Sequence, residues 1–145
     1  MTNQSLSRKL TSLMREALVN RRNNRRLPVK LSLKYSIVCQ MRGFGTHKTR
    51  QVKGQTVDVS RNGISLKTSM ITIDGTHVSV SPDTVTNKAL EIELDLPHKT
   101  IALKGLPLRY EHNGDNNYYL VGVKILAMPA EDRKEYDAFL KSLGM

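Results

Sequence analysis

VKGQTVDVSRNGISLKTS, residues 52 to 69, consists of two alternating runs on either side of the pair Arg61-Asn62. Alternation of apolar and polar residues with period two marks a strand that buries one face. Asn62-Gly63 between such runs is the strongest short hairpin signal in the chain, so two paired antiparallel strands are expected here. Within the first run, Val57 and Val59 are expected to face the core, which sends Asp58 and Ser60 together to the opposite face. Asp58 can accept two parallel N–H donors and Ser60 can donate or accept, while Gly63 permits positive φ and close approach of a ligand to the backbone.

The same alternation extends in both directions. Upstream, Leu27, Val29, Leu31, Leu33, Tyr35 and Ile37 share one parity and Lys30, Ser32, Lys34 and Ser36 the other. Downstream, Leu90, Ile92, Leu94 and Leu96 alternate with Glu91, Glu93 and Asp95, and residues 100–126 read as two more strands around Asn113-Gly114. Residues 70–88 read as an irregular insertion and a candidate extra hairpin, with a turn signal at Asp74-Gly75 and a break at Ser81-Pro82. The chain closes on a helix, with Pro129 at its start, Glu131 and Asp132 in its first turn, Lys141 near its end and Gly144 as its stop. Tyr136, Phe139, Leu140 and Leu143 are expected to share its buried face. Six to seven antiparallel strands with a terminal helix predict a mainly β protein built as a small barrel, since closure removes exposed edges.

Before the first strand lies NRRNNRR, residues 20–26, and before that an amphipathic pattern over residues 5–19, with Leu6, Leu10, Leu13, Met14, Ala17 and Leu18 on one face. The expected organisation is an N-terminal amphipathic helix over 1–19 and one barrel domain over 20–145, entered through an arginine-rich segment at 20–27. The helical stripe is a candidate homodimer face, a docking face for the chain's own domain, or a basic helix at a membrane surface. Charge follows the same division. Residues 1–50 carry 12 of the 23 Lys and Arg against a single acid, Glu16, so the excess cation is N-terminal and is expected to meet phosphate.

Other classes find little support. Cys39 is the single cysteine, which excludes an internal disulfide framework and fits a reducing cytoplasm. No signal-peptide pattern or apolar run of the ~18 residues that a membrane-spanning helix needs is present. His47, His77, His98 and His112 lack metal-ligand spacing, no nucleophile elbow or phosphate-cradling glycine loop occurs, and Glu91, Glu93 and Asp95 read as a strand's wet side. A binding protein without catalytic residues, metal or cofactor is therefore expected.

Taken together, the two motif stretches resemble the PilZ domain family, whose signature is RxxxR, then a strand, then [D/N]xSxxG. Arg22 to Arg26, followed by Leu27-Pro28, supplies the first half, with Arg21 and Arg25 as an overlapping pair at the same spacing. Asp58-Val59-Ser60-Arg61-Asn62-Gly63 supplies the second. Val121-Gly122-Val123-Lys124-Ile125 is similar to the family's Gly-x-x-aromatic strand, with Ile125 where an aromatic is usual. The resemblance covers about residues 20–143 and implies a PilZ-type barrel that binds cyclic di-GMP, the bacterial second messenger.

It implies ligand contacts from Arg21, Arg22, Arg26, Asp58, Ser60 and Gly63, and Tyr110 is an added candidate for stacking on a base. Ligand is expected to order the arginine segment against the barrel and so to alter the helix or its protein partner, with motility or biofilm polysaccharide as the output. Two other readings compete with this one. A ligand-independent adaptor would act by protein contact alone. A nucleic-acid binder would use the arginines with Arg42, Lys48 and Arg50 as a phosphate track, but the chain has two Phe and no Trp to stack bases.

Overall fold

Strands with unpaired edges gain most when the last free edge finds a partner, and here the sheet closes on itself. The computed structural model describes residues 25–41, 43, 45–78, 85–114 and 117–144. The helix expected over residues 5–19 lies outside them, as do Arg21, Arg22 and Arg42. The elements are β1 (Leu27–Pro28), β2 (Ser32–Met41), β3 (Gly45–Lys48), β4 (Val52–Val59), β5 (Gly63–Thr68), β6 (Thr72–Ile73), β7 (Thr76–His77), β8 (Val85–Asp95), β9 (Thr100–Asn113), β10 (Tyr118–Ala127) and α1 (Ala130–Ser142). Around the barrel the order is β2-β4-β5-β10-β9-β8 and back to β2, all antiparallel. Both β1 and β3 are additions, on β4 and β2 respectively. This is the closed barrel with a C-terminal helix that the alternation predicted.

The upstream run is broken into β1 and β2 at residues 29–31, where the register against β4 slips by one residue, from Pro28 opposite Asp58 to Ser32 opposite Gln55. Thr56 fastens that irregular stretch: its hydroxyl accepts from Leu31 N at 2.8 Å and donates to Val29 O at 2.6 Å. Inward side chains such as Leu33, Ile64, Leu66, Ile92 and Val121 fill the barrel. Helix α1 adds Tyr136 and Leu140 to this core, whereas Leu143, expected on the same face, stands exposed as the C-cap residue.

The insertion holds the hairpin β6–β7, with Asp74 (φ 51°) and Gly75 (φ 80°) both left-handed, as a tight primed turn demands. It brings Ile73 and Val78 into the core, and Asp74 accepts from Arg50 N at 2.9 Å. Asn62-Gly63 also forms its hairpin, by another route. Gly63 does not use the positive φ that it permits, and the turn closes through Ser60 N donating to Gly63 O at 2.8 Å.

Gly105, which no sequence signal marked, is needed for closure. A Cβ there would lie 2.3 Å from Val123 Cγ1, and valine is stiff at χ1 in a filled core. Gly105→Ala is expected to cost ~1–3 kcal/mol through overpacking, read as a Tm loss of several degrees by differential scanning calorimetry.

Candidate functional site

Asp58 reaches the outer wall because β4 changes phase. Val52 and Thr56 point inward, so strict alternation would bury the Asp58 carboxylate. Instead the register against β5 slips, from Thr56 opposite Leu66 to Asp58 opposite Ser65, leaving Val57 as the extra residue of a bulge. Val59 is thereby buried and Asp58 turned out, as expected. Val57, expected in the core, is 40% exposed because the bulge ejects it.

Ser60 does not accompany Asp58. It lies just past the end of β4, is only 2% exposed, and donates from Oγ to Gly63 O at 3.2 Å. The hydroxyl beside Asp58 on the outer wall belongs to Ser65, a residue that the motif reading missed. Its only sequence signal is its polar parity between Ile64 and Leu66.

Arg26 comes to this wall from directly ahead of β1, which pairs with the end of β4. Its Nη1 donates to Asp58 Oδ1 at 2.7 Å and to Ser65 Oγ at 3.1 Å. Among the described residues Nε, Nη2 and Asp58 Oδ2 have no hydrogen-bond partner. The ion pair is half open to solvent, with side-chain exposures of 47% and 26%. Gly63 makes room for this arrangement by lacking a side chain: a Cβ there would sit 3.1 Å from Val123 O, 3.5 Å from Ser60 Oγ and 3.6 Å from Arg26 Nη2. Tyr110, though exposed, does not share the wall of Asp58 and Ser65. It lies opposite buried Val121 in the β9–β10 register, and its ring packs at 5.0 Å on His77.

The turn beneath Arg26 is held at every carbonyl. Tyr136 Oη donates to Ser60 O at 2.5 Å, Arg133 Nη1 to Arg61 O at 2.9 Å and Ile125 N to Asn62 O at 2.8 Å, while Gly63 O takes the Ser60 bonds. Burial pushes the Tyr136 phenol far above its usual range, so it stays a donor at every working pH. Two of these clamps come from α1, which is itself pinned by Asp132 accepting from Ala102 N at 3.0 Å and pairing with Lys99 at 3.2 Å.

The Ala102 N–H, helped by Lys99, holds the Asp132 carboxyl below the usual range against the opposing effect of burial. A depressed folded-state pKa stabilises the fold above the unfolded value of ~3.9, and that contribution disappears as pH falls through the folded value. Asp132→Asn is therefore expected to flatten the acid limb of a Tm-versus-pH profile below about pH 4 and to leave its slope above pH 6 unchanged.

Barrel, capping helix and outer-wall arginine–carboxylate pair define the class: a small β-barrel binding domain with its polar constellation on the outside. The chain belongs to the PilZ domain family, whose model matches residues 20–142. Proteins of this family are binding domains rather than catalysts. No curated protein matches the chain by sequence. Among solved structures, the Bacillus subtilis inhibitor of motility (MotI/DgrA) is similar in fold, with a TM-score of 0.54 at 13% identity. The similarity covers 81% of this chain and 49% of that one, so it takes in about half of the neighbour's length. Among the described residues there is no cluster of three metal-ligating side chains, and no helix is long and apolar enough to cross a membrane.

Proposed function

We propose that the domain is a receptor for cyclic di-GMP and passes ligand occupancy to a protein partner. The supporting observation is Arg26, whose guanidinium meets Asp58 and Ser65, 32 and 39 residues away in sequence. Its unused Nε and Nη2 suit a phosphodiester oxygen or the O6/N7 edge of guanine, because arginine presents its donors as a rigid fork. Asp58 suits the N1–H and N2–H edge of guanine, which adenine lacks. Gly63 leaves the space, Ser60 holds the turn, and Arg21 or Arg22 adds a second guanidinium from the adjoining segment.

Ligand drawing that segment onto the barrel changes what its N-terminal side presents to a partner, which is how occupancy would be read. Motility, for which the structural neighbour is named, is the first output to test, with biofilm polysaccharide second. The Arg26–Asp58–Ser65 contact also favours a receptor over a ligand-independent adaptor, which has no need of an arginine fork.

Titration calorimetry of the wild type with cyclic di-GMP, GTP and linear pGpG tests the reading. Micromolar or tighter binding of the cyclic dinucleotide alone is expected, corresponding to ~8 kcal/mol or more. Absence of heat with cyclic di-GMP refutes the receptor and leaves the adaptor.

A further inference from the structure

A second concentration of charge lies on the outward face of β2, β4 and β5, at the end of β4 and β5 opposite the Ser60–Gly63 turn. Alternation turns Lys34 and Lys53 outward beside buried Leu33, Tyr35 and Val52. The register then sets the two lysines directly opposite each other across the β2–β4 ladder, where like charges repel. Lys67 joins them from β5, opposite Gln55 and one outward row along. With strands ~4.8 Å apart and a rise of ~3.4 Å per residue, the three Cα atoms lie within about 12 Å of one another.

These lysines line a groove of about 550 Å³ together with Gln55, Ser69 and Tyr118. Among the described residues no ion pair neutralises them. Lys34 and Lys53 also lack a hydrogen-bond partner there, although Glu93 lies directly opposite Lys34 on β8. Lys67 Nζ stands 4.1 Å over the Tyr118 ring, a contact that holds the ammonium in place and leaves it donors for an acceptor. Asp95, the one acid on the lining, already accepts from Thr100 Oγ1 at 2.8 Å. Three cations thus share a concave surface without a counter-ion, and two of them face each other closely enough to grip one anion together.

Phosphate sites rely on free backbone N–H groups at a helix start or a nest, or on arginine forks. Here the strand backbones belong to ladders and the cations are all lysine, point charges spread over three strands. That arrangement suits carboxylates spaced along a polypeptide. We propose that the groove docks an acidic segment of the protein partner, with Lys34 and Lys53 sharing one carboxylate and Lys67 taking a second. The inference supplies the chemistry of the partner in the reading above, and rests on that reading only for there being a partner. It uses none of Arg26, Asp58 or Ser65, and Lys67 lies about 14 Å along β5 from Gly63.

The test is a residue-resolved NMR titration of the full chain with hexaglutamate, with inorganic phosphate and phosphatidylglycerol vesicles as the other two arms. Hexaglutamate is expected to shift the amides of residues 32–34, 53–55, 67–69 and 118 saturably, and to bind about tenfold more tightly than phosphate. Its affinity should fall as salt rises, because exposed charges are screened. Lys53→Glu should weaken it about tenfold and Lys67→Gln roughly threefold. Lys53→Glu should also keep or raise Tm, since it turns a facing like-charge pair into an opposite one, so its loss of binding is not misfolding. Both variants should bind cyclic di-GMP as the wild type does. Shifts confined to other lysines, or groove shifts that survive Lys53→Glu, refute the docking site. So does phosphate or the vesicles matching hexaglutamate in the groove, which makes it a site for a free anion or a membrane surface. If the groove fails while cyclic di-GMP binds, the receptor stands; if hexaglutamate binds as expected and cyclic di-GMP gives no heat, the receptor falls and the docking site stands.

Discussion

Arg26→Ala is expected to weaken cyclic di-GMP binding roughly 10- to 100-fold with almost no change in Tm. The two halves of this expectation have different origins. A charge-assisted hydrogen bond to a ligand contributes ~1.5–3 kcal/mol, which is the affinity loss. The ion pair of Arg26 with Asp58 is half exposed, and exposed pairs contribute only ~0–1 kcal/mol to stability.

Because the two side chains are partners in the free protein, their effects on binding should not add. In the double variant with Asp58→Ala, calorimetry should give less than the sum of the single losses, since each single change also removes the contact that positions the other group. An Arg26→Ala variant that binds like the wild type would remove this side chain from the site. One that loses affinity only in proportion to a fall in Tm would make it a structural residue.

Tyr136→Ala is expected to have the largest effect on the fold. The ring is fully buried, so its removal should cost ~3–5 kcal/mol. Tyr136→Phe keeps the ring and deletes only the donor to Ser60 O, which should cost ~1–3 kcal/mol by leaving a buried carbonyl unpaired. The milder variant is the informative one. It loosens the turn that positions Gly63 and the end of β4 while the barrel stays intact, so amide exchange should rise at residues 60–63 and stay unchanged in β8. Ligand affinity should fall with it, because the outer-wall geometry depends on that turn. Uniform exchange throughout the barrel would show that α1 does not act through this clamp.

Much of this architecture was legible in local sequence. Period-two alternation gave most of the long barrel strands, and the dipeptides Asn62-Gly63, Asp74-Gly75 and Asn113-Gly114 all mark real reversals. Pro129, the early acids and Gly144 delimited the helix. Both motif halves could be found, since each is a contiguous string. The failure was local as well: parity counted through Asp58 takes β4 for a regular strand and so sends Val57 to the core.

Sequence alone determined that this chain builds an antiparallel barrel with cations ahead of it and an Asp-x-Ser turn within it, because those features depend on neighbours a few residues apart. The tertiary structure alone decided that Val57 leaves the ladder, that Ser60 turns inward, and that Arg26 rests on Asp58 and Ser65. The physical reason is closure. Register between strands distant in sequence is set jointly by bulges, core packing and the requirement that the last strand meet the first, and no single segment encodes that sum.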